Sequence, residues 1–298
     1  MSTRVSAPGS SRASAPSSQP APATTLTASD ARCAASRKRR RRTLVRWLLA
    51  APAIARGFAA RPALAAPDET PADSGRSAVP RFSTLSPGER LPAGWTHQTL
   101  PSVERANRFD LVSDQGTTVL RVRSERSASS LAVALRVDPA KTPRLRWRWR
   151  VSNVVTASDL RRKDADDYAA RVYVLFDLPS ERLSVRDRLR IAAARLLHGA
   201  RLPAAALCYV WGNAQAVGEA GWNPYTDRLR MIVVDSGPTH VGQWRELVRD
   251  VASDFRAAFG GPVPPISGLA LGADTDNAGE TVEARFADLV FEPHVIEN

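Results

Sequence analysis

The sequence predicts a mainly β protein: an antiparallel β-sandwich of the jelly-roll kind with two helical insertions. Three observations predict it. Arg144–Val151 alternates strictly, with Leu145, Trp147, Trp149 and Val151 on one face and Arg144, Arg146, Arg148 and Arg150 on the other. A period of two puts one set in a core and the other outside. About nine short runs of this kind follow one another, separated by Gly, Pro, Asn and Asp. Strands and helices do not alternate regularly, which disfavours a parallel α/β sheet and leaves an antiparallel sandwich.

The elements follow in order. Residues 1–36 are rich in Ser, Ala, Pro and Thr and bury too little apolar surface to offset ordering entropy, so a disordered leader is expected. Residues 37–65 read as an export signal. The basic run Arg37–Arg42 contains Arg41-Arg42-Thr-Leu-Val-Arg46, which is twin-arginine-like; an apolar stretch and the small residues Ala63-Leu64-Ala65 follow. That order places the protein in the periplasm or outside the cell and confines membrane contact to the signal; a basic tail without signal function is the other reading. Residues 66–90 read as a linker, and a single β-sandwich domain is expected over 91–293.

Within that domain, Trp95–Leu100 is the first predicted strand. Phe109–Val112 and Thr117–Ser124 flank Ser113-Asp-Gln-Gly116, a hairpin turn. Ser130–Val137 alternates and stops at Asp138-Pro139. Arg144–Val151 and Ala170–Leu178 enclose an acidic loop. Ser180–His198 has apolar residues at helical spacing and five arginines on the remainder, a helical insertion with a solvated basic face or one that lies on an anionic surface. Leu207–Trp211 is a short buried strand, Gly221–Tyr225 a loop, and Arg228–Val234 a strand. Gly242–Phe259 reads as the second helix, stopped by Gly260-Gly261-Pro262. Ile266–Leu271 and Thr281–Phe291 are the last strands.

The formal charge of +12 resides in the leader. Residues 1–65 hold 12 of the 42 Lys and Arg but only one of the 30 acids, which leaves 30 basic and 29 acidic residues for the rest. A body this close to neutral lacks the field that non-specific nucleic-acid binding requires. Cys208 is the one cysteine of the body, in an apolar run, and reads as a buried thiol.

Sandwiches carry function on loops or on one exposed sheet face. Asp166 and Asp167 in one loop, and Asp274, Asp276 and Asn277 in another, supply oxygens of the kind calcium takes. EF-hand spacing is absent, and the same residues serve in plain polar turns. Arg148 and Arg150, with Arg171 and Tyr168 beyond the acidic loop and Tyr173 further on, would form a ledge of donors for glycan hydroxyls or carboxylates. Alternatively the arginines pair with acids across a solvated sheet face. Trp211 and Trp222 adjoin Gly-Asn213 and Asn-Pro loops, where an indole either stacks on a sugar or packs under the loop. Trp147 and Trp149 read as core.

Several stretches in order carry a resemblance: Leu145–Val151, Asp166–Val174, Leu207–Asn213, Trp244 with Asp254-Phe255 and Ala258-Phe-Gly260, and Ala273–Asn277. Together they resemble the bacterial domain-of-unknown-function family numbered 3047, over roughly residues 91–293. The resemblance implies an exported β-sandwich of lectin-like or carbohydrate-binding-module-like kind, without an assigned activity or catalytic residues.

The expected function is therefore a non-catalytic module for a polysaccharide or envelope glycan, with calcium as the one cofactor suggested and no oligomeric state implied. Two alternatives stay open. A glycan hydrolase would use Asp167 and Asp274 as paired carboxylates about 5 to 10 Å apart. A structural envelope protein would dock a partner through the basic helix 181–198.

Overall fold

The computed structural model of the 298-residue chain describes residues 79–100, 103–179, 181 and 204–294. All of them lie in the unit Ala66–Asn298. The predicted leader, the export signal, the start of the linker and the helix expected at Ser180–His198 (Glu181 apart) lie outside the described residues.

Two sheets face each other. The larger contains β1 (Trp95–Thr99), β4 (Ala128–Val137), β6 (Tyr168–Phe176), β7 (Ala205–Gly212), β8 (Ala220–Trp222), β9 (Leu229–Ser236) and β11 (Ile266–Asp274), ordered β1-β4-β11-β6-β7-β9-β8. The smaller contains β2 (Arg108–Asp114), β3 (Thr117–Glu125), β5 (Arg144–Val151), β10 (Arg245–Asp250) and β12 (Thr281–Phe286), ordered β10-β5-β12-β3-β2, with β13 (Val290–Glu292) also on β5. The Asp114–Thr117 turn is the expected hairpin, with φ of 51° at Gln115 and 78° at Gly116. That is the left-handed pair a two-residue turn needs, and Gly meets it without steric cost.

The alternation of β5 decides the core. Trp147 and Trp149 are buried between the sheets. Trp147 stacks on Tyr209 of β7 at 5.4 Å, and Trp149 meets Trp211 of β7 at 5.9 Å and Phe286 of β12 at 6.3 Å. Rings of this size dominate the apolar area that holds two sheets together. Cys208 is buried, as expected.

Four expectations are corrected. The helix expected over Gly242–Phe259 is helical only at α1, Val251–Phe259; Arg245–Asp250 is β10. Its backbone pairs with Arg144–Trp149 of β5, whose amides and carbonyls on that side otherwise lack partners. Asp250 then caps the helix, its Oδ1 accepting from Ser253 N at 2.8 Å. The expected stop holds: Gly260 takes a φ of 69° and its N–H donates to Arg256 O at 2.9 Å. Second, the sheets are not wholly antiparallel. The chain passes from β7 to the edge strand β8 and returns by a hairpin to β9, which therefore runs parallel to β7. Third, the expected loop Gly221–Tyr225 begins inside β8, and the last expected strand is two, β12 and β13. Fourth, the end of the expected linker belongs to the core. Phe82 is fully buried against Trp95 at 5.2 Å, and Asp288 Oδ1 accepts from Phe82 N at 2.8 Å.

Candidate functional site

The two acidic loops meet. β6 begins and β11 ends at the same edge of the larger sheet, where Asp274 is the register partner of Tyr168 after a bulge. The turn after β11 then folds onto Asp167, which is fully buried. Asp167 Oδ1 accepts from Asn277 Nδ2 at 2.9 Å and Oδ2 from Ala278 N at 2.6 Å. One carboxylate oxygen from each of Asp167, Asp274 and Asp276 lies within 4.8 Å of the other two.

Arg171 is the one guanidinium at this cluster among the described residues. Its side chain is only 4% exposed, and its Nη2 stands 3.2 Å from Asp274 Oδ2 and 3.2 Å from Asp166 Oδ1. It also donates to the Asp166 carbonyl, and its Nη1 donates to Tyr173 Oη at 3.1 Å. Its guanidinium lies over the Tyr168 ring at 4.9 Å. Asp166 Oδ2 accepts from Asn223 Nδ2 at 2.8 Å, so both of its oxygens are engaged by protein.

The electrostatics are one-sided, with the four carboxylates of Asp166, Asp167, Asp274 and Asp276 around one buried cation. Burial pushes the Asp274 carboxyl well above the ordinary range, and nearby Asp167 and Asp276 push the same way; Arg171 opposes them. Burial also raises Asp167, against the pull of its bonds from Ala278 and Asn277. Tyr168 and Tyr173 are raised by burial. Tyr225 is exposed beside the cluster. Its Oη donates to Lys163 O at 2.7 Å, Lys163 Nζ lies over its ring at 5.5 Å, and burial followed by the four carboxylates raises its phenol.

Oxygens bound to one calcium at about 2.3–2.6 Å are at most about 5 Å apart. Asp167, Asp274 and Asp276 already have that spacing. Asp166 stands outside that group, with its two oxygens turned to Arg171 and Asn223. Asn277 acts by holding Asp167 through its amide N–H.

The other expected ligand residues disperse. Arg148 and Arg150 lie on the outer face of the smaller sheet, whereas Arg171 belongs to the larger one, so the expected ledge is not one surface. A strand that follows in sequence crosses to the other sheet. Trp211 is fully buried; its Nε1 donates to Gly237 O at 3.2 Å, so it packs under the loop and has no face for a sugar. Trp222 is 39% exposed, edge-on to Phe259 at 5.3 Å, with Arg230 over its ring at 5.2 Å. Asn213 ties down the loop before the cluster, donating from Nδ2 to Thr156 O at 2.6 Å. Tyr168 is fully buried beneath Arg171. Sequence reasoning missed Asn223, Tyr225 and Lys163. The Asn-Pro-Tyr turn was the available signal: Asn223 Oδ1 accepts from Tyr225 N at 3.0 Å, an Asx turn that presents both side chains.

A search of curated proteins finds no match to the chain. Among solved structures, the chain is similar to the glycoside hydrolase domain of Endo-D from Streptococcus pneumoniae R6 at 10% identity and a TM-score of 0.30, covering 68% of this chain and 22% of that one. It is similar to the family 30 carbohydrate-binding module of a cellulosomal cellulase of Clostridium thermocellum at 10% identity and a TM-score of 0.31, covering 73% and 95%. It is similar to the xyloglucanase domain of NopAA, a type three effector from Sinorhizobium fredii, at 9% identity and a TM-score of 0.35, covering 70% and 97%. Likeness at this level carries no functional argument. The sequence itself does better: residues 93–290 match the family described as protein of unknown function (DUF3047), and the chain belongs to that family.

Proposed function

We propose that this is an exported, non-catalytic binding module for an envelope glycan, and that a divalent cation such as calcium completes its site. The observation that carries the reading is the spacing of Asp167, Asp274 and Asp276 within 4.8 Å beside a single buried arginine. Four partly buried carboxylates against one guanidinium are costly unless protons or a cation neutralise them. Calcium takes six to eight oxygens, so three carboxylates leave positions for water and for paired sugar hydroxyls. Exposed Tyr225 stands beside those positions with an aromatic ring and Lys163. Asp167 and Asp274 would serve the cation, with Asn277 and Ala278 orienting the Asp167 carboxylate through its second lone pairs.

The jelly-roll reading is supported by the order of the eight central strands, β3-β12-β5-β10 facing β4-β11-β6-β7. Export to the periplasm or beyond is supported by Arg41-Arg42, the apolar stretch after it and Ala63-Leu64-Ala65. A glycan array probed with calcium and with EDTA tests the function. Calcium-dependent retention of a glycan, lost in Asp274→Asn and without release of product, is expected. Retention indifferent to both would remove the cation from the site, and turnover of a retained glycan would replace the module by a hydrolase.

A further inference from the structure

The outer face of the smaller sheet carries arginines side by side. The register sets Arg121 beside Arg285 and Arg285 beside Arg150. Like charges placed directly opposite destabilise a sheet unless acids intervene. Here acids do intervene, but unevenly. Asp110 takes Arg121 at 2.5 Å. Glu283 stands 2.8 Å from Arg285 and 3.4 Å from Arg123. Asp114 is shared, 2.7 Å from Arg285 and 2.8 Å from Arg150.

One place further along β5, Arg148 is exposed and has no carboxylate partner among the described residues. Its register partner is Glu246, but Glu246 is taken by Arg146 Nη1 at 2.5 Å. Arg148 turns instead to the half-buried Trp244, its Cζ 5.5 Å from the ring centre, and Arg150 lies 5.6 Å from the same centre. Two guanidiniums thus gather on one indole; Arg150 shares Asp114 with Arg285, and Glu246 opposite Arg148 is paired with Arg146.

We propose that Arg148, Trp244 and Arg150 form a binding site for a uronate unit of an acidic polysaccharide, on a different face from the Asp274 cluster. A guanidinium offers a planar fork that fits a carboxylate through two parallel hydrogen bonds. Arg148 can offer it without breaking an ion pair. Stacking on Trp244 restrains both guanidiniums beforehand, which lowers the entropy lost on binding. The choice of a glycan rests on the function proposed above; the anion-binding chemistry does not depend on it or on a cation.

The test is a titration of the whole chain with sodium polygalacturonate in EDTA, with neutral dextran as control. The intact protein should bind polygalacturonate and not dextran. Arg148→Gln should weaken binding roughly tenfold or more, the loss expected for a hydrogen bond to a charged group. It should melt with the unaltered protein, because Arg148 is exposed and holds no ion pair. Arg148→Lys should rescue only in part, because an ammonium has no fork. Equal binding by Arg148→Gln, equal binding of dextran, or no binding of polygalacturonate would each overturn the proposal. Because EDTA is present throughout, failure here is distinct from failure of the calcium-dependent glycan reading.

Discussion

Asp274→Asn probes the cation site at the carboxyl whose surroundings most disfavour its charge. In the folded protein that carboxyl is raised well above the ordinary range by burial and by its acidic neighbours. A raised carboxyl binds more protons folded than unfolded in the window between its ordinary and its raised value. Stability therefore falls as pH rises through that window, and the full penalty remains above the raised value. In EDTA the melting temperature of the intact protein should drop as pH is taken from about 4 to 8. Calcium should reverse this at neutral pH by favouring the charged carboxylates. For a site of the weaker extracellular class, with Kd about 0.1 mM, 10 mM calcium is about 100 Kd and adds about 2.7 kcal/mol. At about 2–4 °C per kcal/mol for a unit of this size, the midpoint should rise by about 5–11 °C. Asp274→Asn should shrink that rise to less than about 2 °C and flatten the pH dependence in EDTA, since one raised carboxyl is gone. Differential scanning fluorimetry across pH, with and without calcium, reads all of this. No rise with calcium in the unaltered protein, or a full rise in the variant, would refute the reasoning.

Other outcomes follow from burial. Trp211→Ala should cost about 3–5 kcal/mol in urea unfolding, because it empties a fully buried ring site between the sheets, whereas Trp222→Ala should cost much less. Asp250→Ala should cost about 1 kcal/mol through loss of the cap on α1, with the loss confined to stability. Burial pushes the Cys208 thiol up to about 12, so thiol reagents at pH 8, read by peptide mapping, should label Cys208 in the native protein only at the rate of opening and label it fully in denaturant.

The elements legible in the sequence were those whose alternation matched one buried face. Arg144–Val151 is the clearest, and it predicted the burial of Trp147 and Trp149. Arg245–Asp250 was misread because Leu247 and Val248 suit a helix as well as a strand, and the unpaired edge of β5 that claims them is 95 or more residues away. For the site, the acid-rich loops were visible as loops. Their meeting was not, because it depends on β11 lying beside β6 across about 100 residues of chain. The same pairing sorts the acids into those that share one centre and Asp166, which Arg171 and Asn223 hold.

The sequence by itself determined the β class, the inward set of each alternating strand, the turn at Gln115-Gly116, the neutral charge of the body and its family. These depend on period, on residue conformation and on composition, all of which are local. Only the tertiary structure decided which loops meet, that Arg148 and Arg171 belong to different sheets, that Trp211 is closed to solvent and that Arg148 has no acid partner among the described residues. Each of these is a question of which strands become neighbours. That choice is made by the packing of two sheets around shared aromatic rings, and no single stretch of chain contains it.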